Sequence, residues 1–169
     1  MLLRNIAIAM LAVALCAGVA RAAEDESILN PSGLPIPRYV SLKSGEVNVR
    51  VGPGQRYPIR YVYHKPHLPV QIVEEFAHWR KIRDYEGATG WVHKTMLDGH
   101  RTAMVLDKTQ NLYSRPEVSD QPVMQAEATV VGKLKACLPD WCMLEIQDRK
   151  GWIRKADIWG VSREEVFEN

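Results

Sequence analysis

The residues of this chain that could do chemistry are Cys137 and Cys142, five histidines, two pairs of adjacent glutamates and five tryptophans. Cys137 and Cys142 lie five apart around Pro139-Asp140, a turn-friendly pair. In an oxidising compartment a disulfide pinning the tip of a hairpin is the favoured reading. A redox-active pair is the alternative, and it would need a thiol pKa lowered by a helix N-terminus or a CxxC spacing, neither of which is visible. The histidines are His64, His67, His78, His93 and His100. His64 and His67 sit in a proline turn with no cysteine or carboxylate beside them. Zinc sites need three or four converging ligands, so neither a metal nor another cofactor is expected. Glu74 and Glu75 are neighbours, and neighbours on a strand point to opposite faces, so they cannot share a general acid–base site. The chain has no serine elbow, HExxH or phosphate loop. The expectation is a protein that binds rather than catalyses.

The tryptophans are repeated with their surroundings. WRKI (Trp79 to Ile82) is followed by GWVHK (Gly90 to Lys94), and WCML (Trp141 to Leu144) is followed by GWIRK (Gly151 to Lys155). The tryptophans within a copy are 12 and 11 residues apart, and the copies are offset by 62 and 61. A unit of about 60 residues made of short apolar runs and turn residues predicts two small β-domains in tandem. Val47, Val49 and Val51 alternate with polar residues, as in a half-buried strand with its valines inward, ended by Gly52-Pro53-Gly54. Ile59 to Tyr63, Val70 to Phe76, Trp79 to Tyr85 and Gly90 to His93 follow as strands, with a reversal at Ala77-His78 and a 3₁₀ turn near Thr95 to Leu97. In the second copy the strands are Thr102 to Leu106, Val130 to Leu138, Trp141 to Gln147 and Gly151 to Arg154, with a turn at Arg149 to Gly151. Ser162 and Glu165 have the spacing of a capping box, which predicts a short terminal helix. Bulky interior fill is what small barrels require, so Trp91 and Trp152 are read as core.

The ends set the context. Arg4, the apolar run Ile6 to Ala20 and Ala20-Arg21-Ala22 form a secretory signal peptide, residues 1–22. Its apolar run of 15 is short of the ~20 residues a membrane span takes, so no stable membrane insertion is expected after cleavage. Residues 23–37 read as a proline-containing linker, in which Leu34 to Pro37 could adopt polyproline II. The two units are assigned to residues 38–100 and 101–162, with a tail at 163–169. Of 22 basic residues, Arg4 and Arg21 leave with the leader, so 20 face 20 acids. The positive charge that nucleic-acid binding relies on is missing. One basic run remains, Arg38, Lys43, Arg50, Arg56, Arg60 and Lys65, most simply a solvated face. Units near the lower size limit for folding are expected to dock on one another, and the join at His100-Arg101 has no flexible linker.

The segments NVRVGPG (Asn48 to Gly54), RYPI (Arg56 to Ile59), LPVQIVEEFAHWRKIRD (Leu68 to Asp84), GATGWVHKTML (Gly87 to Leu97), CLPDWCMLE (Cys137 to Glu145) and GWIRKADIWGV (Gly151 to Val161) resemble the bacterial SH3-like (SH3b) domains, in their exported tandem form. The resemblance implies an all-β fold of two SH3-like barrels in the periplasm or otherwise outside the cytoplasm. It also implies a cell-wall or protein-binding role and a disulfide between Cys137 and Cys142. The ligand groove of such barrels would be bordered here by Arg50 to Tyr57 and by Phe76 to Trp79. Tyr57, Phe76 and Trp79 would supply contact area, and Arg50 would meet a carboxylate or brace its own loop. The implied partner is peptidoglycan. The alternative is an envelope protein bound through a proline-containing or extended segment, with Leu34 to Pro37 as an internal competitor. In the second unit NLYSRP replaces NVRVGP, so Arg50 has no counterpart and that unit reads more as support than as binder.

Overall fold

The computed structural model describes residues 29–118 and 121–168; the signal-peptide reading for residues 1–22 and the start of the linker lie outside the described residues. The first unit runs β1 (Arg38–Leu42), β2 (Val47–Arg50), β3 (Ile59–Tyr63), β4 (Pro69–Phe76), β5 (Trp79–Arg83), β6 (Thr89–His93), a 3₁₀ turn at Lys94–Met96 and β7 (Leu97–Asp98). The second runs β8 (Thr102–Val105), β9 (Gln110–Leu112), β10 (Met124–Ala126), β11 (Val131–Cys137), β12 (Trp141–Ile146), β13 (Arg149–Arg154), a 3₁₀ turn at Lys155–Asp157 and β14 (Ile158–Trp159), and β15 (Phe167–Glu168) follows. The fold is all-β, as the alternating sequence requires. The first unit is one antiparallel sheet ordered β3-β2-β6-β5-β4-β1-β7. The second is ordered β13-β12-β11-β8-β14, with β15 beside β11 and β9–β10 as a separate ribbon. Neither ladder closes into a ring, so "barrel" describes curvature rather than continuous pairing.

Each sheet folds around its own core. Leu42, Val47, Val49, Val70, Ile72, Ile82 and Val92 fill the first, and Val105, Leu112, Leu134, Leu144, Ile153 and both cysteines fill the second. Fully burying one such side chain contributes roughly 1.5–3 kcal/mol. The repeat is visible in three dimensions through two glycines. A Cβ on Gly90 would lie 2.3 Å from Val49 Cγ1, and one on Gly151 would lie 2.6 Å from Leu112 Cβ, so both copies need glycine there for the strands to meet.

Several expectations are corrected. Val51 is 52 % exposed rather than inward, because β2 ends at Arg50 with a bulge between Val49 and Arg50. The β12–β13 turn is Gln147-Asp148, with φ of 48° and 61°, instead of Arg149 to Gly151. A two-residue hairpin turn with positive φ at both centres matches the strand twist, which lets pairing begin at Arg149. The tail forms no helix. Ser162 N donates to Glu165 Oε2 (3.1 Å), half of a capping box, but Ala136 and Cys137 pair with Glu168 and Phe167 and draw the chain into β15.

The units dock directly. Met104 of β8 is buried in the first unit's core. Thr102 Oγ1 donates to His67 O (2.7 Å) and Lys65 Nζ to Thr129 O (2.7 Å). Tyr39 and Trp159 meet edge to face at 5.3 Å across the seam. Residues 29–37 are anchored too. Ser32 donates through N (3.1 Å) and Oγ (2.9 Å) to Glu75, which also pairs with Arg38 and with Arg80 Nε (3.1 Å).

Candidate functional site

Strand register decides which side chains share a face. On β5, Arg80 and Ile82 point inward, so Trp79, Lys81 and Arg83 point out. Their partners on β6 are His93, Trp91 and Thr89. On the other side of β6, Trp91 stands opposite Arg50 of β2. The outer face of the first unit therefore carries a row across three strands, Lys81–Trp91–Arg50, with Trp79 and His93 beside it. Lys81 Nζ lies 5.9 Å from the Trp91 ring centroid and 3.0 Å from Glu74 Oε2. Trp79 meets His93 edge to face at 5.4 Å. Arg83 and Arg60 add positive charge to the same side, Arg60 through a bond to Thr89 O (3.3 Å).

The four residues named from sequence fall at two borders of this face. Arg50 Nη1 donates to Tyr57 O (2.7 Å), so it does brace its loop, through a carbonyl rather than an ion pair. The Tyr57 ring lies flat on the loop, so close to Gly52 that a Cβ there would be 2.6 Å from it, and Arg56 stacks over it at 5.3 Å. Phe76 stands opposite Trp79 at the end of the β4–β5 hairpin and is 39 % exposed. Between the two borders runs β6. From sequence His93 is not named as a site residue and Trp91 is read as buried fill, and Trp91 is indeed buried. Trp91 is 7 % exposed, yet it lies on the opposite side of β6 from Val92, which joins the core. The alternation of Gly90, Trp91 and Val92 puts Trp91 on the side of β6 away from Val92, although all three are buried.

Burial pushes the His93 imidazole below its ordinary pKa, and the positive fields of His78, Lys94 and Arg80 add to that. Its Nδ1 lies 2.8 Å from Thr95 Oγ1, which holds the ring upright against Trp79. Glu75 points to the other side of the sheet. Burial would raise its carboxyl, but hydrogen bonds from Arg38 and Ser32 outweigh burial and hold the pKa below its usual value. Since residues 29–37 are tied to Glu75, their anchor lies away from Trp79 and Trp91. Leu34 and Ile36 stay 52 % and 40 % exposed rather than competing for that face.

The second unit repeats the face with different residues. Trp152 is opposite Met143 of β12 and bridges to Tyr113, so Met143–Trp152–Tyr113 stands where Lys81–Trp91–Arg50 stands. Trp152 thus also faces outward rather than filling the core. Trp141 takes the place of Trp79, with Arg154 opposite it and stacked over its ring at 4.9 Å. A separate recess of about 1040 Å³ lies at the junction of the units. Its acids have partners within the recess: Glu165 pairs with Arg101, Glu145 with Lys133 and Lys135, and Asp98 Oδ1 lies 2.6 Å from the His100 ring. Cys137 and Cys142 form a disulfide, with Cα atoms 4.1 Å apart. Among the described residues no three His, Cys, Asp or Glu side chains gather as metal ligands, and no helix is long and apolar enough to cross a membrane.

The bacterial SH3 domain profile matches this chain twice, at residues 43–99 and 107–160. The chain belongs to the bacterial SH3 domain family. No curated protein matches it. Among solved structures it is similar to NlpC2 from Trichomonas vaginalis, at 14% identity and a TM-score of 0.35 over 73% of this chain and 48% of that one. It is also similar to NlpC1 from Trichomonas vaginalis, at 14% identity and a TM-score of 0.32 over 78% of this chain and 48% of that one. The chain spans about half the length of each.

Proposed function

We propose that this tandem member of the bacterial SH3 domain family is an exported, non-enzymatic binding module that recognises cell-wall peptidoglycan through the outer face of its first unit. The observation that carries the reading is the row Lys81–Trp91–Arg50 beside Trp79 and His93. Aromatic side chains stack on sugar and peptide surfaces with little rotamer entropy to lose. Two cations astride a tryptophan suit a carboxylate, such as those of a peptide stem. Arg50, already oriented by its bond to Tyr57 O, loses little further freedom on meeting a carboxylate. Tyr57, Phe76 and Trp79 supply the rim. The leader pattern at residues 1–22 supports the export part of this reading, to the periplasm or beyond it.

The test is retention of the purified protein on isolated cell-wall sacculi at low and at high salt. Retention that weakens on Arg50→Gln and is lost on Trp79→Ala is expected. No retention at either salt would overturn the reading. Capture of an envelope protein in its place, through the same residues, would move the assignment to a protein adaptor.

A further inference from the structure

We infer that the second unit carries its own ligand site, a neutral aromatic platform of Tyr113, Trp141 and Trp152 that takes the face of a pyranose ring. The inference rests on the peptidoglycan reading above and divides that polymer: the carboxylate-bearing peptide goes to the first unit and the uncharged glycan strand to the second. The platform is built, not incidental. Tyr113 N donates to Trp152 O (2.8 Å) and Trp152 N to Tyr113 O (2.7 Å), so the two aromatic residues are locked side by side although β9 and β13 pair nowhere else. Tyr113 meets Trp141 edge to face at 6.1 Å. The three side chains thus share one outer face, each half-buried, with Arg154 covering the Trp141 ring and leaving Tyr113 and Trp152 as the open part.

Charge selects the occupant. Both cations that flank Trp91 are replaced beside Trp152, Lys81 by Met143 and Arg50 by Tyr113. Arg154, the nearest guanidinium, is stacked on Trp141. Glu145, on the same strand as Met143, is within reach of Lys133 (3.5 Å) and Lys135 (3.8 Å). A carboxylate lying over Trp152 would find no cation directly across from it. A sugar ring asks for the opposite: a flat aromatic surface for its C–H face and donors at the rim for its hydroxyls. The Tyr113 hydroxyl and the edge of the Arg154 guanidinium provide those donors.

The experiment titrates the full chain with soluble tetra-N-acetylglucosamine, read by calorimetry. Saturable binding is expected. Tyr113→Arg, which installs the first unit's residue at the matching register position, should weaken it about tenfold or more. Tyr113→Ser should do the same, and Tyr113→Phe, which keeps the ring and loses the rim hydroxyl, should weaken it only about two- to threefold, with circular dichroism confirming that each variant folds. No saturable binding, or binding equal in Tyr113→Arg and wild type, would overturn the inference. If the oligosaccharide fails to bind while sacculi still retain the protein, the glycan site falls and the wall reading stands. If the oligosaccharide binds through Tyr113 but sacculi do not retain the protein, the site stands and the wall reading falls.

Discussion

The two units clamp the same hairpin by different chemistry. In the first, Glu75 of β4 stands opposite Arg80 of β5, one residue in from the Phe76–Trp79 pair. In the second, the matching register positions hold Cys137 and Cys142. One unit closes the hairpin with a buried ion pair and the other with a covalent bond. The ion pair needs help: Glu75 is 1 % exposed, and Arg38 and Ser32 supply its remaining hydrogen bonds. The N-terminal segment is thereby recruited as a structural part of the first unit. The disulfide needs no such hydrogen-bond partners; the second unit's tail reaches the same strand through β15, which pairs with Ala136 and Cys137, and is tied further back as well. Lys155 Nζ donates to Glu165 O (2.7 Å), and Arg101 Nη2 donates to Glu165 Oε2 (3.1 Å). A position that tolerates either clamp is one where the fold needs the two strands held together and is indifferent to the means.

The difference can be broken from either side. The largest effect is expected for Glu75→Ala, which leaves Arg80, 6 % exposed, without its buried partner. Removing one member of a buried pair costs about 3–5 kcal/mol, and urea unfolding of the full chain reads it. The loss should fall on the first unit and release residues 29–37 to proteolysis. Unchanged stability would mean that Arg38 and Arg80 find other partners. Opening the second clamp, with Cys137→Ser and Cys142→Ser together, is expected to cost about 2 kcal/mol, because the closed loop is short. Reductant should lower wild-type stability by the same amount and leave the double variant unmoved.

Acid sharpens the contrast. Glu75 has a folded pKa below its ordinary 4.5, so its stabilisation is fully present above that value and is lost as pH falls through the lower folded one. Glu165 is also held low, with burial opposed by the Arg101 hydrogen bond, and its strap weakens over the same range. Thermal melts below pH 4.5 should show a steeper loss in wild type than in Glu75→Ala, and equal slopes would assign the acid response to the other carboxylates held low, Glu165 and Asp98. The smallest effect is expected for Arg50→Gln. It keeps a donor for Tyr57 O and removes the charge, so affinity for a carboxylate-bearing peptide should drop roughly three- to tenfold with little change in melting temperature.

Much of this architecture was legible in the chain. The repeated tryptophans located both units, and alternation located most strands, because inward and outward residues differ in polarity wherever a sheet has one wet face. The misses have a common cause. Val51 continues the alternation on paper, but a bulge at Arg50 ends the strand first. Ser162 and Glu165 carry a capping pattern, yet a free edge at Ala136 and Cys137 claims the tail, and that competition is long-range. Glu75 reads as one of two neighbouring acids, and nothing near it in sequence shows that Ser32, 43 residues away, completes its shell. Of the candidate site, Arg50, Tyr57, Phe76 and Trp79 were legible as borders. Trp91 was legible as buried on its size, while its place on the side of β6 away from Val92 follows from its position between Gly90 and Val92.

The most direct test of the central claim, that the first unit binds through Lys81, Trp91, Arg50 and Trp79, is a titration of tryptophan-labelled protein with soluble peptidoglycan fragments, followed through the five indole N–H resonances. The Trp79 and Trp91 signals are expected to shift together and saturate, while Trp159, packed against Tyr39 at the seam, stays in place. Shifts confined to Trp159, or no shift at Trp79 and Trp91 at saturating fragment, would contradict the claim.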